Sequence, residues 1–280
     1  MGAGRVSCAL GVVFAEAGWP VVAIATRDEA NAQRFLQLVP SAHAAPSVSA
    51  LADEADLVFV TVPDDAIADV AAQLRLYAGQ AVVHTSGALD ASVLGPARAA
   101  GTQTGSFHPL VAFANQEAAV RSLPTSTIAV EGDDELVALL GQLAGDIGAQ
   151  PVRLPPTGKT AYHAAAVLAG GGVIGLLDGV AEVARGAGLD EAGALAIYVP
   201  LIRQALSNAE AMGIGEALTG PFVRGDVGTV RNHLAAMRRL APGAVEMYRA
   251  TAARELDLAV ARGAIDEEQA APLRVLLDEP

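Results

Sequence analysis

Gly2-Ala3-Gly4-Arg5-Val6-Ser7 heads an apolar run with helical spacing that closes near Ala17-Gly18, and residues 21–26 (VVAIAT) follow as a strand. Glycine at the first position permits a tight turn, and glycine at the second lets backbone approach a phosphate closely. A small third residue lets helix and strand pack, and Ser7 takes that place. The bland alternative is a flexible glycine-rich N-terminus, but a helix behind the glycines and a strand after them argue against it. The strand that should precede Gly2 has only Met1 in this sequence. Either the start lies further upstream, or the sheet lacks its central strand and the turn loses its anchor.

Beyond this stretch, short apolar runs alternate with helical patterns. Residues 56–63 (DLVFVTVP), 80–86, 105–109 and 126–131 read as strands, and 28–39, 64–76 and 133–147 as helices. Near-continuous apolar strands alternating with helices indicate a parallel sheet covered on both faces. After Pro151, Pro155 and Pro156 only helical periodicity remains, over 157–187, 190–212, 229–240, 243–262 and 266–277. The expected architecture is an α/β Rossmann-type parallel-sheet domain over residues 1–154 and an all-α domain over 155–280.

Composition agrees. Of 280 residues 52% are hydrophobic and only 4% aromatic, which suits packed helices and parallel strands better than a β-sandwich. The net charge of −13 leaves no basic footprint for nucleic acid or an anionic membrane, although a local basic spot can still hold a phosphate. Cys8 is the single cysteine, so no intrachain disulfide forms, and no secretory pattern opens the chain; a cytoplasmic protein is expected. The uncharged stretch 160–177 approaches a membrane span in length, but its polar and small residues read as a buried helix of a soluble protein.

The candidate site gathers at strand ends, where open α/β sheets bind ligands. Thr26-Arg27-Asp28 closes one strand. An acid at that tip would bind a ribose 2′-hydroxyl, whereas Arg27 suits the 2′-phosphate of NADP; Asp28 falls where a helix cap is expected. Val62-Pro63 and Ser86-Gly87 end two more strands and should border the cofactor, while Asp64 or Asp65 reads foremost as a cap. No G-x-S-x-G elbow surrounds Ser86, so hydrolase chemistry is not indicated. His108, stiffened by Pro109, is as readily structural as functional. Lys159 and His163, four apart, share one helix face and can protonate a carbonyl oxygen or imine nitrogen as hydride arrives; Tyr162 is on a neighbouring face. A solvated lysine and a core histidine are the plain alternative. A polar loop with Thr219, Arg224 and Asp226, followed by Thr229 and His233, suits a substrate site or subunit contact. The five histidines show no metal-ligand spacing, and no metal is assigned.

Together GAGRVS, VPDDAI, HTSGAL, GSFHPL, YHAAAVLA and ALTGPFVRGD resemble a bacterial family described as Rossmann-like with a C-terminal domain of unknown function (domain of unknown function 2520). Its members are related to deazaflavin-dependent NADP oxidoreductases. More distantly the chain resembles the superfamily of 6-phosphogluconate dehydrogenase, pyrroline-5-carboxylate reductase and prephenate dehydrogenase. The resemblance implies an NADP(H)-binding domain, a 6-phosphogluconate dehydrogenase-like helical domain that pairs two subunits, and a small-molecule substrate. Gly2, Gly4, Arg5 and Val6 fall in the phosphate loop, and Arg27 at the 2′-phosphate position. Lys159 and His163 fall on the lysine, and the polar residue four places later, used by hydroxyacid dehydrogenases of that superfamily. Where family members usually carry Ser-Asn this chain has Gly170-Gly171, a departure that bears on specificity and turnover. The expected function is an NADP-dependent oxidoreductase of a small carbonyl or imine compound. Its rival is a dimeric NADP-binding sensor that does not turn over.

Overall fold

The computed structural model describes residues 1–99 and 101–279, so Pro280, at the end of the expected helical domain, lies outside it. The chain divides into two compact units, Met1–Leu168 and Ala169–Pro280. The division falls after the proline cluster, because the first helix beyond it sends Lys159 back into the sheet of the first unit.

In that unit α1 (Arg5–Glu16) leads to a short β1 (Ala23–Ile24), then α2 (Glu29–Leu38), β2 (His43–Ala44), α3 (Val48–Ala52) and β3 (Leu57–Val60). There follow α4 (Ile67–Ala71), β4 (Ala81–His84), β5 (Gln103–Pro109), α5 (Gln116–Ser122), β6 (Thr127–Gly132), α6 (Asp134–Asp146), β7 (Gln150–Arg153) and α7 (Lys159–Ala169). Asp28 caps α2 by accepting from the Asn31 N–H, as its position before the helix predicts. β2, α3, α5 and β7 were not anticipated; three of them are short, and Pro151 in β7 reads as a break.

The strands form two sheets, β1-β2 and β3-β4-β5-β6-β7. Among the described residues no strand joins them, and the expected single sheet is divided between β1 and β3. The pairs are parallel except β5–β6, which run antiparallel. That corrects the wholly parallel expectation: α5, between β5 and β6, does not serve as a crossover that keeps their direction.

β4 (AVVH) is buried along its length, which accounts for its uninterrupted apolar run. Val83 joins a core with Leu10, Phe14 and Leu140, while Val82 joins one with Leu51, Ile67 and Leu94 on the other face. Phe14, Phe59 and Phe107 form a ring triad with centroids 5.3, 5.9 and 5.5 Å apart. Such pairs add about 0.5–1.5 kcal/mol each beyond burial.

The second unit is helical throughout: α8 (Gly171–Arg185), α9 (Glu191–Met212), α10 (Ile214–Ala217), α11 (Val227–Leu240), α12 (Val245–Ala261) and α13 (Glu267–Asp278). Leu234, Leu256 and Leu273 centre its core. The uncharged stretch expected as one buried helix breaks at Gly170, and most of it is exposed in the single chain. By length and composition the helical run Pro156–Arg185 could cross a membrane. Leu168 and Ile174 are both exposed.

Phe107 is fully buried at the centre of the ring triad. Phe107→Ala is expected to destabilise the first unit by about 3–5 kcal/mol, read as a lower denaturant midpoint with unchanged secondary structure in buffer.

Candidate functional site

The sheet register builds the site. Val60 pairs with His84, His84 with Ser106, and Ser106 with Glu131, so one row across four strands carries a histidine, a serine and a glutamate. These three polar residues are at most 5% exposed, and buried polar groups need partners. Ser106 Oγ lies 3.4 Å from Glu131 Oε2, which also accepts from the Ala91 N–H at 2.9 Å.

Lys159 completes the row. At 1% exposed, it donates from Nζ to Ser106 Oγ at 2.7 Å and to the Ser86 carbonyl at 3.0 Å. Burial lowers its pKa to about 8, against the opposing pull of Glu131, Asp90 and Asp64. Burial likewise raises the Glu131 carboxyl, which the Ala91 N–H and Lys159 partly restrain.

The turn after β4 is locked by its own side chains. His84 Nδ1 accepts from the Ser86 N–H at 3.1 Å, and Nε2 faces the Asp90 carbonyl at 3.1 Å, which fixes the Nε2–H tautomer. Ser86 Oγ lies 2.7 Å from Asp64 Oδ2, to which it donates, and accepts from the N–H groups of Ala88 and Leu89. Asp64 therefore ties two turns together; neither it nor Asp65 caps the helical turn they open, correcting the reading as caps.

Gly87 lies against two histidines: a Cβ there would sit 2.5 Å from His163 Nδ1 and 2.7 Å from His108 Nε2. His108 Nδ1 is 3.2 Å from the Tyr162 hydroxyl, and the two rings meet edge to face. His163 Nδ1 is buried without a hydrogen-bond partner, a vacant polar valence of the kind a ligand fills. Burial lowers His108 to about 4, with Lys159 and His163 adding to the effect. Lys159, His163, His108, Tyr162, Ser86 and Gly87 are thus brought together in one place.

The residues expected to bind the nucleotide lie at the opening of α1 and the tip of β1. Gly2 has φ +85°, and a Cβ would press within 2.8 Å of the Thr61 carbonyl oxygen, so the turn demands glycine. Gly4, the N-cap of α1, supplies no side-chain cap, and open space lies where its Cβ would point. The first N–H groups of α1 are left for an anion, which fits a dinucleotide phosphate. Arg5 is exposed and donates to the Phe113 carbonyl, whereas Val6 packs partly against the core. Thr26 Oγ1 accepts from the Asp28 N–H, and Arg27 is exposed beside it. Val62 packs on the core at the end of β3, and Pro63 leads the turn carrying Asp64.

The other candidates belong to the second unit. Asp226 caps α11 through the N–H and hydroxyl of Thr229. His233 Nδ1 is 3.0 Å from the Tyr248 hydroxyl, while Thr219 and Arg224 are exposed.

Glu131, Ser106, His84 and Arg34 were not picked out as site residues. Arg34 Nη2 lies 3.5 Å from the Ala3 carbonyl, beside the glycine turn. Glu131 left one signal, a lone acid ending the apolar strand TIAVE.

Residues 1–109 match the model of a Rossmann-like domain and residues 126–255 that of a domain of unknown function, DUF2520. Comparison with curated proteins gives no match. A solved structure of a Thermotoga maritima protein shares 24% identity over 93% of this chain and 97% of that one, with a TM-score of 0.73. An Aspergillus terreus reductive aminase, solved with NADPH and ethyl levulinate, shares 17% identity over 98% and 96%, with a TM-score of 0.67. A Streptococcus pyogenes 1-pyrroline-5-carboxylate reductase shares 17% over 92% and 96%, with a TM-score of 0.64. These likenesses establish the fold.

Burial, with Lys159 adding to it, lowers His84 from 6.5 to about 4. Between those values the unfolded chain binds the proton first, so this contribution to stability is complete above pH 6.5 and lost as pH falls toward 4. His84→Gln is expected to flatten that limb, seen as a smaller Tm difference between about pH 4.5 and about pH 7 than in the parent.

Proposed function

We propose that this chain, which joins a Rossmann-like domain to a DUF2520 domain, is a cytoplasmic NADPH-dependent reductase of a small carbonyl or imine compound, with 2-keto acids among the candidates. The observation that carries this reading is Lys159, buried at the C-terminal end of the sheet with two of its three donors engaged. The likeness to a reductive aminase and to a pyrroline-5-carboxylate reductase supports the same chemistry.

In this reading Gly2 and Gly4 open the phosphate turn, with Arg5 beside it. Thr26, Arg27 and Arg34 face the 2′-phosphate, a planar guanidinium being suited to that anion. Val62, Pro63, Ser86 and Gly87 border the nicotinamide half. Bound NADPH would supply hydride to the electrophilic carbon. Ser86 and Ser106 hold Lys159 in one direction, leaving its third N–H free for a substrate oxygen or nitrogen. A lysine titrating near 8 is protonated at neutral pH yet gives up its proton readily, as a general acid requires. His163 offers a second polar atom, and Tyr162 orients His108.

The test is NADPH titration followed by a screen of 2-keto acids and cyclic imines for NADPH consumption. Lys159→Met is expected to retain NADPH binding and lose turnover by about 10²–10⁴-fold. Parent turnover should fall as pH rises through about 8, where Lys159 loses its proton. Failure to bind NADPH would refute the proposal. The open seam between β1 and β3, beside the glycine turn, favours a second reading as a non-catalytic NADP sensor. Binding with no turnover of any compound screened, unchanged in Lys159→Met, would select it.

The proposal includes a homodimer formed through the helical unit. Ile174 on α8 and Ile197, Leu201 and Leu206 on α9 are 53–66% exposed, an apolar face that a second copy would cover. The protein should sediment as a dimer, and Ile174→Glu combined with Leu201→Glu should shift it to monomer without loss of helix content.

A further inference from the structure

Lys159 is the only lysine of the sequence, and its ammonium donates to two acceptors of different kinds. The Ser86 carbonyl is an acceptor only. The Ser106 hydroxyl both accepts and donates, so it can pass a proton on. Beyond it stands Glu131, to whose Oε2 the Ser106 hydroxyl donates at 3.4 Å. A carboxylate placed only to neutralise an ammonium would lie directly against it. Among the described residues no ion pair includes Lys159, and the serine hydroxyl is interposed instead.

The two oxygens of the Glu131 carboxyl differ. Oε2 receives both the Ser106 hydroxyl and the Ala91 N–H, the latter at 2.9 Å, which fixes the side chain in place. Oε1 takes no hydrogen bond among the described residues, yet it is not shut off from water as the unpartnered His163 Nδ1 is. Glu131 also lines a cavity of about 420 Å³ with Arg153, Leu154, Pro155 and Pro156, none of them a residue proposed to meet substrate. Burial raises the carboxyl above its usual range against the pull of the Ala91 N–H, Lys159 and Ser106, with Asp90 adding to the rise. That direction favours the protonated form a proton donor needs.

We infer that Glu131 and Ser106 form a proton-return path to Lys159, entered from the cavity at Glu131 and not from the substrate side. The inference rests on the reading of Lys159 as the acid of the reduction. In that step a Lys159 N–H bond breaks and its proton bonds to the substrate oxygen or nitrogen, leaving a neutral amine. Rotation about the Cε–Nζ bond brings the vacated lone pair to Ser106 Oγ. The Ser106 O–H bond then breaks as its proton joins Nζ, and the Glu131 O–H bond breaks as its proton joins Oγ. Lys159 is again an ammonium, Ser106 a hydroxyl and Glu131 a carboxylate, which takes its next proton from solvent. One proton enters for each one delivered to product, and no electrons move along the path. Ser106 and Glu131 act through Lys159, as positioning residues.

The test is exchange of the Lys159 ammonium protons with water, followed by NMR in protein isotope-labelled at lysine nitrogen, where one side-chain signal arises. It is measured at about pH 6, where Lys159 is protonated. Exchange is expected to slow by about tenfold or more in Glu131→Gln and in Ser106→Ala. Ser106→Thr, which keeps the hydroxyl, should stay near the parent rate. Unchanged or faster exchange in Glu131→Gln and Ser106→Ala overturns the proposal, because Lys159 then reaches water by another way. Should Glu131→Gln not fold, the two Ser106 variants decide by the same readings. With a substrate in hand, Glu131→Gln should lose about tenfold more in steady-state turnover than in the first turnover. A loss equal in both, or absent from both, also overturns the proposal. Slowed exchange in a protein that turns over no compound counts against the reductase reading alone, so the two failures are told apart.

Discussion

A lysine ammonium buried to 1% exposure is the constraint around which the first unit is organised. An unpaired charge in an apolar interior is costly, so it must be hydrogen-bonded, offset by opposite charge, or partly neutralised. All three occur here. Ser106 and the Ser86 carbonyl accept its protons, the Glu131 carboxyl stands one serine away, and the ammonium titrates near 8. These partners come from β5, β6 and the turn after β4, while Lys159 itself stands on α7. The β4–β5–β6 register must therefore be correct before Lys159 can be accommodated.

The same requirement explains the turn after β4. The Ser86 carbonyl can meet Lys159 because His84, Asp64 and two backbone N–H groups hold Ser86 from every other side. Gly87 then brings backbone against His108 and His163 where a side chain would not fit. A serine that resembles a nucleophile in sequence is a structural hinge pin, while the reactive possibilities pass to the lysine and to the unpartnered histidine nitrogen.

The second unit follows simpler rules. Its core is aliphatic, its helices start on Asp190, Asp226 and Asp266 caps, and its polar loop is spent partly on one of them. The apolar residues on α8 and α9 that stay exposed are the ones helical periodicity marks as interior. An amphipathic pattern reports that a face is to be covered, not which chain covers it.

The sequence by itself determined the succession of strands and helices, the glycine turn, the N-cap at Asp28 and the change to all-helical structure, because these rest on local periodicity and backbone preference. It also brought Lys159, His163 and His108 into view, since charged or titratable residues at strand and helix ends are conspicuous in an apolar chain. Only the tertiary structure decided that β6 runs antiparallel to β5, and that Glu131 and His84 stand in one row with Ser106. It alone directed Asp64 to Ser86 rather than to a helix cap, and it tied the glycine turn of the opening stretch to Ala25 on one side and Thr61 on the other. Register and strand direction arise from pairing between segments far apart in the chain, and no local pattern encodes them.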